Sequence, residues 1–260
     1  MIRHRSSCID IQKVSASYGK EEVLSHIDWQ VHPGRLAAII GPNGGGKTTL
    51  LKLLIGKLKP IQGEVKIMGC SPVKMRKYIS YLPQNDTIDW QFPLSVLDIV
   101  VQGRLSRIPW WKRIGPPDIK AAYEALKKVE LIDSANEPIS FLSGGQRQRA
   151  LIARALAQDA RLILLDEPAT ALDAPAQHDL LQILELLKEE GRTVVATTHD
   201  LNCLTDKFDL ILCLNKTVIS RGTPNEALRQ DVLFNLFGRH IPLLTPEGEV
   251  TMIEHNRNPN

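Results

Sequence analysis

RLAAIIGPNGGGKTTLLKLLIG, Arg35 to Gly56, carries three local instructions in succession. RLAAIIG is a short apolar run, the composition of a strand covered on both faces. KTTLLKLLIG has helical spacing and closes on Gly56. Between them GPNGGGKTT, Gly41 to Thr49, satisfies G-x-x-x-x-G-K-[ST] in the strand-then-helix setting that this motif requires. Its glycines let the backbone curl so that successive N–H groups face phosphate oxygens. The stretch Gly41, Pro42, Asn43, Gly44, Gly45, Gly46, Lys47, Thr48 and Thr49 therefore reads as a cradle for a nucleoside triphosphate. Lys47 is placed to reach the β and γ phosphates and the Thr48 hydroxyl to ligate Mg²⁺.

The same rhythm continues outward from the cradle. YISYLP (78 to 83), RLILLD (161 to 166), TVVATT (193 to 198) and DLILCL (209 to 214) are further buried-strand runs. APAQHDLLQILELLKEEG lies between two of them as a helix ending at Gly191. That alternation predicts an α/β fold, a P-loop NTPase core with a mostly parallel sheet. In HIDWQV, by contrast, Ile27, Trp29 and Val31 alternate with His26, Asp28 and Gln30, the period of a half-buried strand, so an N-terminal antiparallel β layer is expected as well. Residues 86 to 142 carry helix signals only: Ser95 three before Asp98 as a capping pair, and PPDIKAAYEALKKVEL behind two prolines. The expected organisation is a nucleotide-binding core over 1–85 and 143–222, an inserted helical subdomain over 86–142, and a C-terminal extension over 223–260 with two short helical pieces and a tail that frays.

Bulk composition narrows the function classes. The chain has 260 residues, 43% hydrophobic and 23% charged, an ordinary globular balance. Thirty-two basic against 29 acidic residues leave a formal net charge of +3, too slight to argue for nucleic acid as a partner. Cys8, Cys70, Cys203 and Cys213 lack the paired spacing of a disulfide framework or a zinc site, which fits a reducing compartment. The seven histidines are scattered, so no metal site is read from them. MIRHRSSCID lacks the apolar segment of a signal peptide, and no window approaches the roughly 18 apolar residues of a membrane span. Work at a membrane would therefore use another chain to cross it.

An acid at the end of a neighbouring buried strand is the usual partner of such a cradle. RLILLDE supplies Asp166, to hold the metal, and next to it Glu167, to orient and deprotonate an attacking water. A GTPase is disfavoured because the nearest match to N-K-x-D, Asn215-Lys216-Thr217-Val218, lacks the acid that reads guanine. A second phosphate-attracting helix start stands at LSGGQRQR, Leu142 to Arg149. Ser143 can serve there as a helix N-cap, yet that role does not account for two glycines.

GPNGGGKTT, LSGGQ, LILLDE and the later THD together resemble the ATP-binding subunit of an ABC transporter, over roughly residues 8 to 225. The LSGGQ pentapeptide is the discriminating element. The resemblance implies ATP and Mg²⁺ as cofactors and two cassettes meeting head to tail. Ser143, Gly144, Gly145 and Gln146 of one copy would then cover the nucleotide in the cradle of the other, with Asp173 of TALD at the dimer seam. It further implies Tyr18 stacked on adenine, Gln84 of YLPQ contacting Mg²⁺ and water, and His199 bracing the γ phosphate. Where many cassettes read EPTSALD this chain reads EPATALD, with Ala169 and Thr170.

DW-x-FP followed by VLD-x-V-x-x-GR, in NDTIDWQFPLSVLDIVVQGR, is similar to cassettes of bacterial importers for manganese, zinc or ferrous iron. Siderophore, haem and cobalamin importer cassettes share the later part and are the alternative. Soluble ABC proteins acting on ribosomes or DNA fit less well, since they carry two cassettes or a long coiled-coil insertion. The implied setting is peripheral, on the cytoplasmic face of the inner membrane. The implied partners are a second copy, transmembrane permease subunits and, indirectly, an extracytoplasmic metal-binding protein. Trp90, Phe92, Trp110 and Trp111 with Arg104, Arg107, Lys112 and Arg113 are expected to form the permease-docking groove.

Overall fold

Every residue of β3 (Leu36–Ile40) is buried, as a strand with helices on both faces must be. The structure is a computed structural model that describes residues 7–84, 90–170, 172–198 and 207–237. In it β3 lies between β7 (Thr193–Thr198) and β8 (Leu210–Asn215), parallel to both. β6 (Leu162–Leu165) and β5 (Ile79–Leu82) continue the parallel set beyond β7, and β9 (Thr217–Gly222) closes the other edge antiparallel to β8, giving the order β5-β6-β7-β3-β8-β9. The predicted strands are present, trimmed by a residue or so. β9 was missed because its residues alternate exposed and half-buried at a sheet edge and carry no apolar run.

β3 shows how the two faces are filled. Leu36, Ala38 and Ile40 point into one apolar cluster, and Ala37 and Ile39 into a second. On the second side stands α1 (Lys47–Leu54), with Leu50, Leu51, Leu53 and Leu54 buried. At roughly 1.5–3 kcal/mol per fully buried leucine, that face anchors the helix. Behind it lies a three-stranded antiparallel sheet, ordered β2-β1-β4, of β1 (Ile9–Tyr18), β2 (Glu21–Val31) and β4 (Gln62–Ile67). Ile27, Trp29 and Val31 face the core while His26 and Gln30 are exposed, as the alternation requires.

The first side holds the helices. After the short α2 (Pro72–Met75) come α3 (Val96–Val101), a 3₁₀ turn over Gln102–Ser106 and α4 (Pro116–Lys128). Ser95 caps α3 as read: its hydroxyl accepts from the Asp98 N–H at 3.1 Å and its own N–H donates to the Asp98 carboxylate at 2.9 Å. α5 (Gly144–Ala157) packs against α3 and α4 and reaches β5, and α6 (Ala174–Glu189) covers β7. Val96, Val100 and Leu126 share one continuous cluster with Leu151, Ile163 and Val194. The helical insert is therefore joined to the sheet through α5 without a separate core of its own. α7 (Pro224–Ala227) and α8 (Gln230–Phe237) are the two short C-terminal helices, packed on β8 and β9. The tail beyond them lies outside the described residues.

Candidate functional site

The GPNGGGKTT stretch leaves the C-terminal end of central β3 and enters α1, the end of a parallel sheet where ligands gather. Gly46 caps α1 at φ 95°, and a Cβ there would lie 2.4 Å from Leu24 Cδ2. The backbone angle would strain any side chain there, and the Leu24 side chain would have to move to admit one. Gly45 N–H donates to Pro42 C=O at 3.1 Å, and Lys216 N–H donates to Gly45 C=O at 2.9 Å, tying the loop to the β8–β9 turn. The first-turn N–H groups of α1 lie beyond the reach of intrahelical acceptors, beside the exposed Asn43, Gly44 and Thr48. Lys47 is 5% exposed and its ammonium donates to Gly41 C=O at 2.9 Å and Pro42 C=O at 3.2 Å. A curled loop that leads into the outward-facing first-turn N–H groups of α1, with one buried ammonium, is the donor set a triphosphate needs.

Two acids meet this loop. Asp166 directly follows β6 and is buried. Its Oδ1 accepts from Thr197 Oγ1 at 2.8 Å and its Oδ2 from the Tyr81 hydroxyl at 3.1 Å. Burial, and then the Asp166 charge, push the Tyr81 hydroxyl well above its ordinary range, so it stays a proton donor. Glu167 sits at φ 50°, uncommon for a residue with a Cβ. Its N–H donates to Thr197 Oγ1 at 2.8 Å, and its carboxylate lies 3.6 Å from the Lys47 ammonium. Thr170, where many cassettes have serine in the resemblance, donates to that carboxylate at 3.4 Å. One buried hydroxyl, Thr197, thus links the backbone of Glu167 to the side chain of Asp166. With the Thr48 hydroxyl exposed at the first turn of α1, an acid and a hydroxyl are available for a hard cation that takes its remaining ligands from phosphate and water, as Mg²⁺ does.

Thr197 and Tyr81 went unread in the sequence because TVVATT and YISYLP register only as apolar strands. Their relevance comes from pairing. β6 Leu165 lies opposite β7 Ala196 and β5 Leu82, so Asp166 emerges between the two hydroxyls. Gln84 follows β5 and is half-buried. Tyr18 ends β1, 46% exposed, with the Lys52 ammonium of α1 at 5.5 Å from its ring centroid, so the ring stands beside the helix that the cradle opens. His199 comes next after β7 and lies outside the described residues.

LSGGQ forms a second surface. Ser143 caps α5 reciprocally: its hydroxyl accepts from Gln146 N–H at 3.3 Å and its N–H donates to Gln146 Oε1 at 2.9 Å. Gly145 has a reason inside the chain, since a Cβ there would lie 2.9 Å from Ala176 Cβ on α6. Gly144 has no such crowding, its nearest neighbour being Leu172 Cδ2 at an ordinary 3.5 Å. Asp173 caps α6 by accepting from Ala176 N–H at 3.0 Å. Ser143, Gly145, Gln146 and Asp173 line one cleft of about 200 Å³ to which no residue of Gly41–Thr49 contributes. The chain therefore carries two separate helix-capped surfaces.

The aromatic and basic cluster separates into two kinds of residue. Arg104 donates to Asp118 at 2.9 Å and to Ala157 C=O at 3.0 Å, and Arg107 to Gln158 C=O at 2.8 Å and Asp159 C=O at 2.7 Å. Both bolt the helical insert to α5 and its C-terminal loop. Trp90 packs on the core with the Arg147 guanidinium 5.4 Å from its ring. Trp110, Trp111, Lys112 and Arg113 remain exposed, as does Phe92.

Known proteins resemble this chain in both sequence and fold. A family model described as ABC transporter matches residues 24–170. The chain is 36% identical over 245 residues to the manganese transport system ATP-binding protein MntB of Halalkalibacterium halodurans, covering 94% of this chain and 98% of that one. A solved metal-chelate type ABC transporter in an inward-facing conformation superposes with a TM-score of 0.81 at 33% identity, over 90% of each chain. A bacterial ABC transporter cassette solved as a dimer superposes at 0.72 with 31% identity, over 83% of this chain and 98% of that one. The likeness thus runs along nearly the whole length of such relatives, and the chain is an ATPase of the ABC transporter family.

Proposed function

We propose that this chain is the ATP-hydrolysing subunit of a bacterial importer for a divalent transition metal: manganese, zinc or ferrous iron. It works as one half of a homodimer seated on permease subunits, at the cytoplasmic face of the plasma membrane. The permease receives metal from an extracytoplasmic binding protein. The near full-length match to the manganese relative supports the cargo. The dimer is supported by one observation above all: the Ser143–Asp173 cleft shares no residue with the Gly41–Thr49 loop. Each surface is then half of a site, completed by the other copy.

In this reading Gly41 to Gly46 and Thr49 shape the phosphate cradle, Lys47 holds the β and γ phosphates, and Tyr18 stacks on the base. Thr48, Asp166 and Gln84 would hold Mg²⁺, which would supply positive charge at the transferred phosphoryl group. Glu167 takes the proton of the attacking water, kept close by Lys47 and Thr170. His199 braces the γ phosphate. Ser143, Gly144, Gly145, Gln146 and Asp173 close over the nucleotide of the partner, so ATP favours the closed dimer and hydrolysis releases it.

Glu167→Gln tests the base. The variant is expected to bind ATP, stall hydrolysis and elute as a dimer only with ATP; wild-type turnover would remove Glu167 from this role. Cargo is tested by elemental analysis of cells lacking the chain. Unchanged manganese, zinc and iron contents overturn the metal reading. The metal-chelate type neighbour favours a second reading, import of a chelate such as a siderophore, haem or cobalamin. It is distinguished by loss of chelate uptake with free-ion uptake intact.

A further inference from the structure

We propose that the tip Pro109–Ile114 is a membrane-contact element that seats Trp110 and Trp111 at the interface of a bilayer rich in anionic phospholipid. The proposal rests on the membrane-associated reading above. Trp110 is 92% exposed and Trp111 69%, the two rings meeting edge to face at 5.8 Å and 88°. They support each other and protrude, which is the shape of a probe and unlike a groove that receives a partner helix. Ile114, 38% exposed, adds apolar surface beside them. Lys112 and Arg113 follow directly and have no ion-pair partner among the described residues, and no acid occurs between Leu105 and Pro117. Amphipathic rings backed by unpaired cations match the headgroup layer in both chemistry and charge.

The base of the tip is fixed where its end is free. Arg104 and Arg107 tie the incoming turn to Ala157 and Gln158, as described above. At the outgoing end Asp118 accepts from Gly115 N–H at 3.1 Å, ahead of the prolines that start α4. Lys112 N–H donates to Pro109 C=O at 2.9 Å, closing a turn between these anchors. A tip held this way can reach a surface without local unfolding. It gives the cassette a second attachment beside the permease, and two weak linked contacts hold far better than either alone.

The test uses the full chain with vesicles of phosphatidylcholine alone or mixed with phosphatidylglycerol, read by co-flotation and tryptophan emission. Wild type is expected to float with the anionic vesicles and to shift its emission to the blue. Trp110→Ser/Trp111→Ser is expected to lose both while binding a fluorescent ATP analogue normally. Lys112→Gln/Arg113→Gln is expected to weaken partitioning about 25-fold at low salt, at roughly five-fold per cation. Failure of wild type to float, or equal flotation of the tryptophan variant, overturns the proposal. So does a tryptophan variant that floats normally but no longer co-purifies with co-expressed permease in detergent, which assigns the tip to the protein partner. Loss of ATP hydrolysis in wild type would instead count against the functional reading on which this one stands.

Discussion

Replacing Thr197 by valine keeps the shape of a fully buried side chain and removes only its hydroxyl. That hydroxyl donates to Asp166 and accepts from Glu167 N–H, each at 2.8 Å. Losing a hydrogen bond to a charged acceptor costs about 1.5–3 kcal/mol, and leaving the half-buried Glu167 N–H without this acceptor adds about 1 kcal/mol, the low end for an orphaned donor. Tyr81 still holds the other Asp166 oxygen, and valine recovers some apolar burial, so the expected net loss is about 3 kcal/mol. Against a total of roughly 5–15 kcal/mol this is a large, measurable fraction. Turnover is expected to fall about 10- to 100-fold, the usual range when the group orienting a metal-binding side chain is removed. The Mg²⁺ concentration for half-maximal nucleotide binding should rise in parallel. Urea unfolding, steady-state ATPase assays and Mg²⁺ titrations of ATP binding measure the three quantities. Thr197→Ser, which keeps the hydroxyl and loses one methyl, should lose about 1 kcal/mol and retain turnover and Mg²⁺ dependence. A valine variant within about 0.5 kcal/mol of wild type, with normal turnover, would refute the linkage of the two acids through Thr197. So would a serine variant as impaired as the valine one.

Arg104→Ala should destabilise the chain by about 2–3 kcal/mol because it strands Asp118 and the Ala157 carbonyl, whereas Arg113→Ala should stay within about 0.5 kcal/mol; equal urea midpoints for the two would contradict the division of the basic cluster. The Arg104 hydrogen bond, then the Gly115 N–H, hold the Asp118 carboxyl below the usual carboxylate range. Its stabilisation is therefore complete above the unfolded value of about 4 and disappears as pH falls through the lower folded value. Asp118→Asn should accordingly be less stable than wild type at neutral pH and converge with it in acid, and a gap that persists unchanged at low pH would refute the assignment.

Locally encoded features were legible in the chain itself. The Gly41–Thr49 loop, the Ser95 and Ser143 caps and the apolar strands depend on residues a few positions apart, where a backbone angle, a capping side chain or a two-residue period leaves a direct mark. LSGGQ was legible as a helix start and, by resemblance, as the mark of a family. Other features depend on which distant segments become neighbours. Tyr81 and Thr197 carry no signal until register sets them on either side of Asp166, 85 and 31 residues away. Nor does composition separate Arg104 and Arg107, which fasten α5, from Lys112 and Arg113, which face solvent. Burial and partner decide that, and both are properties of the packed chain. Gly145 belongs to each class: its residue type was visible in LSGGQ, but Ala176, the neighbour that a side chain there would crowd, comes from a helix that only folding brings alongside.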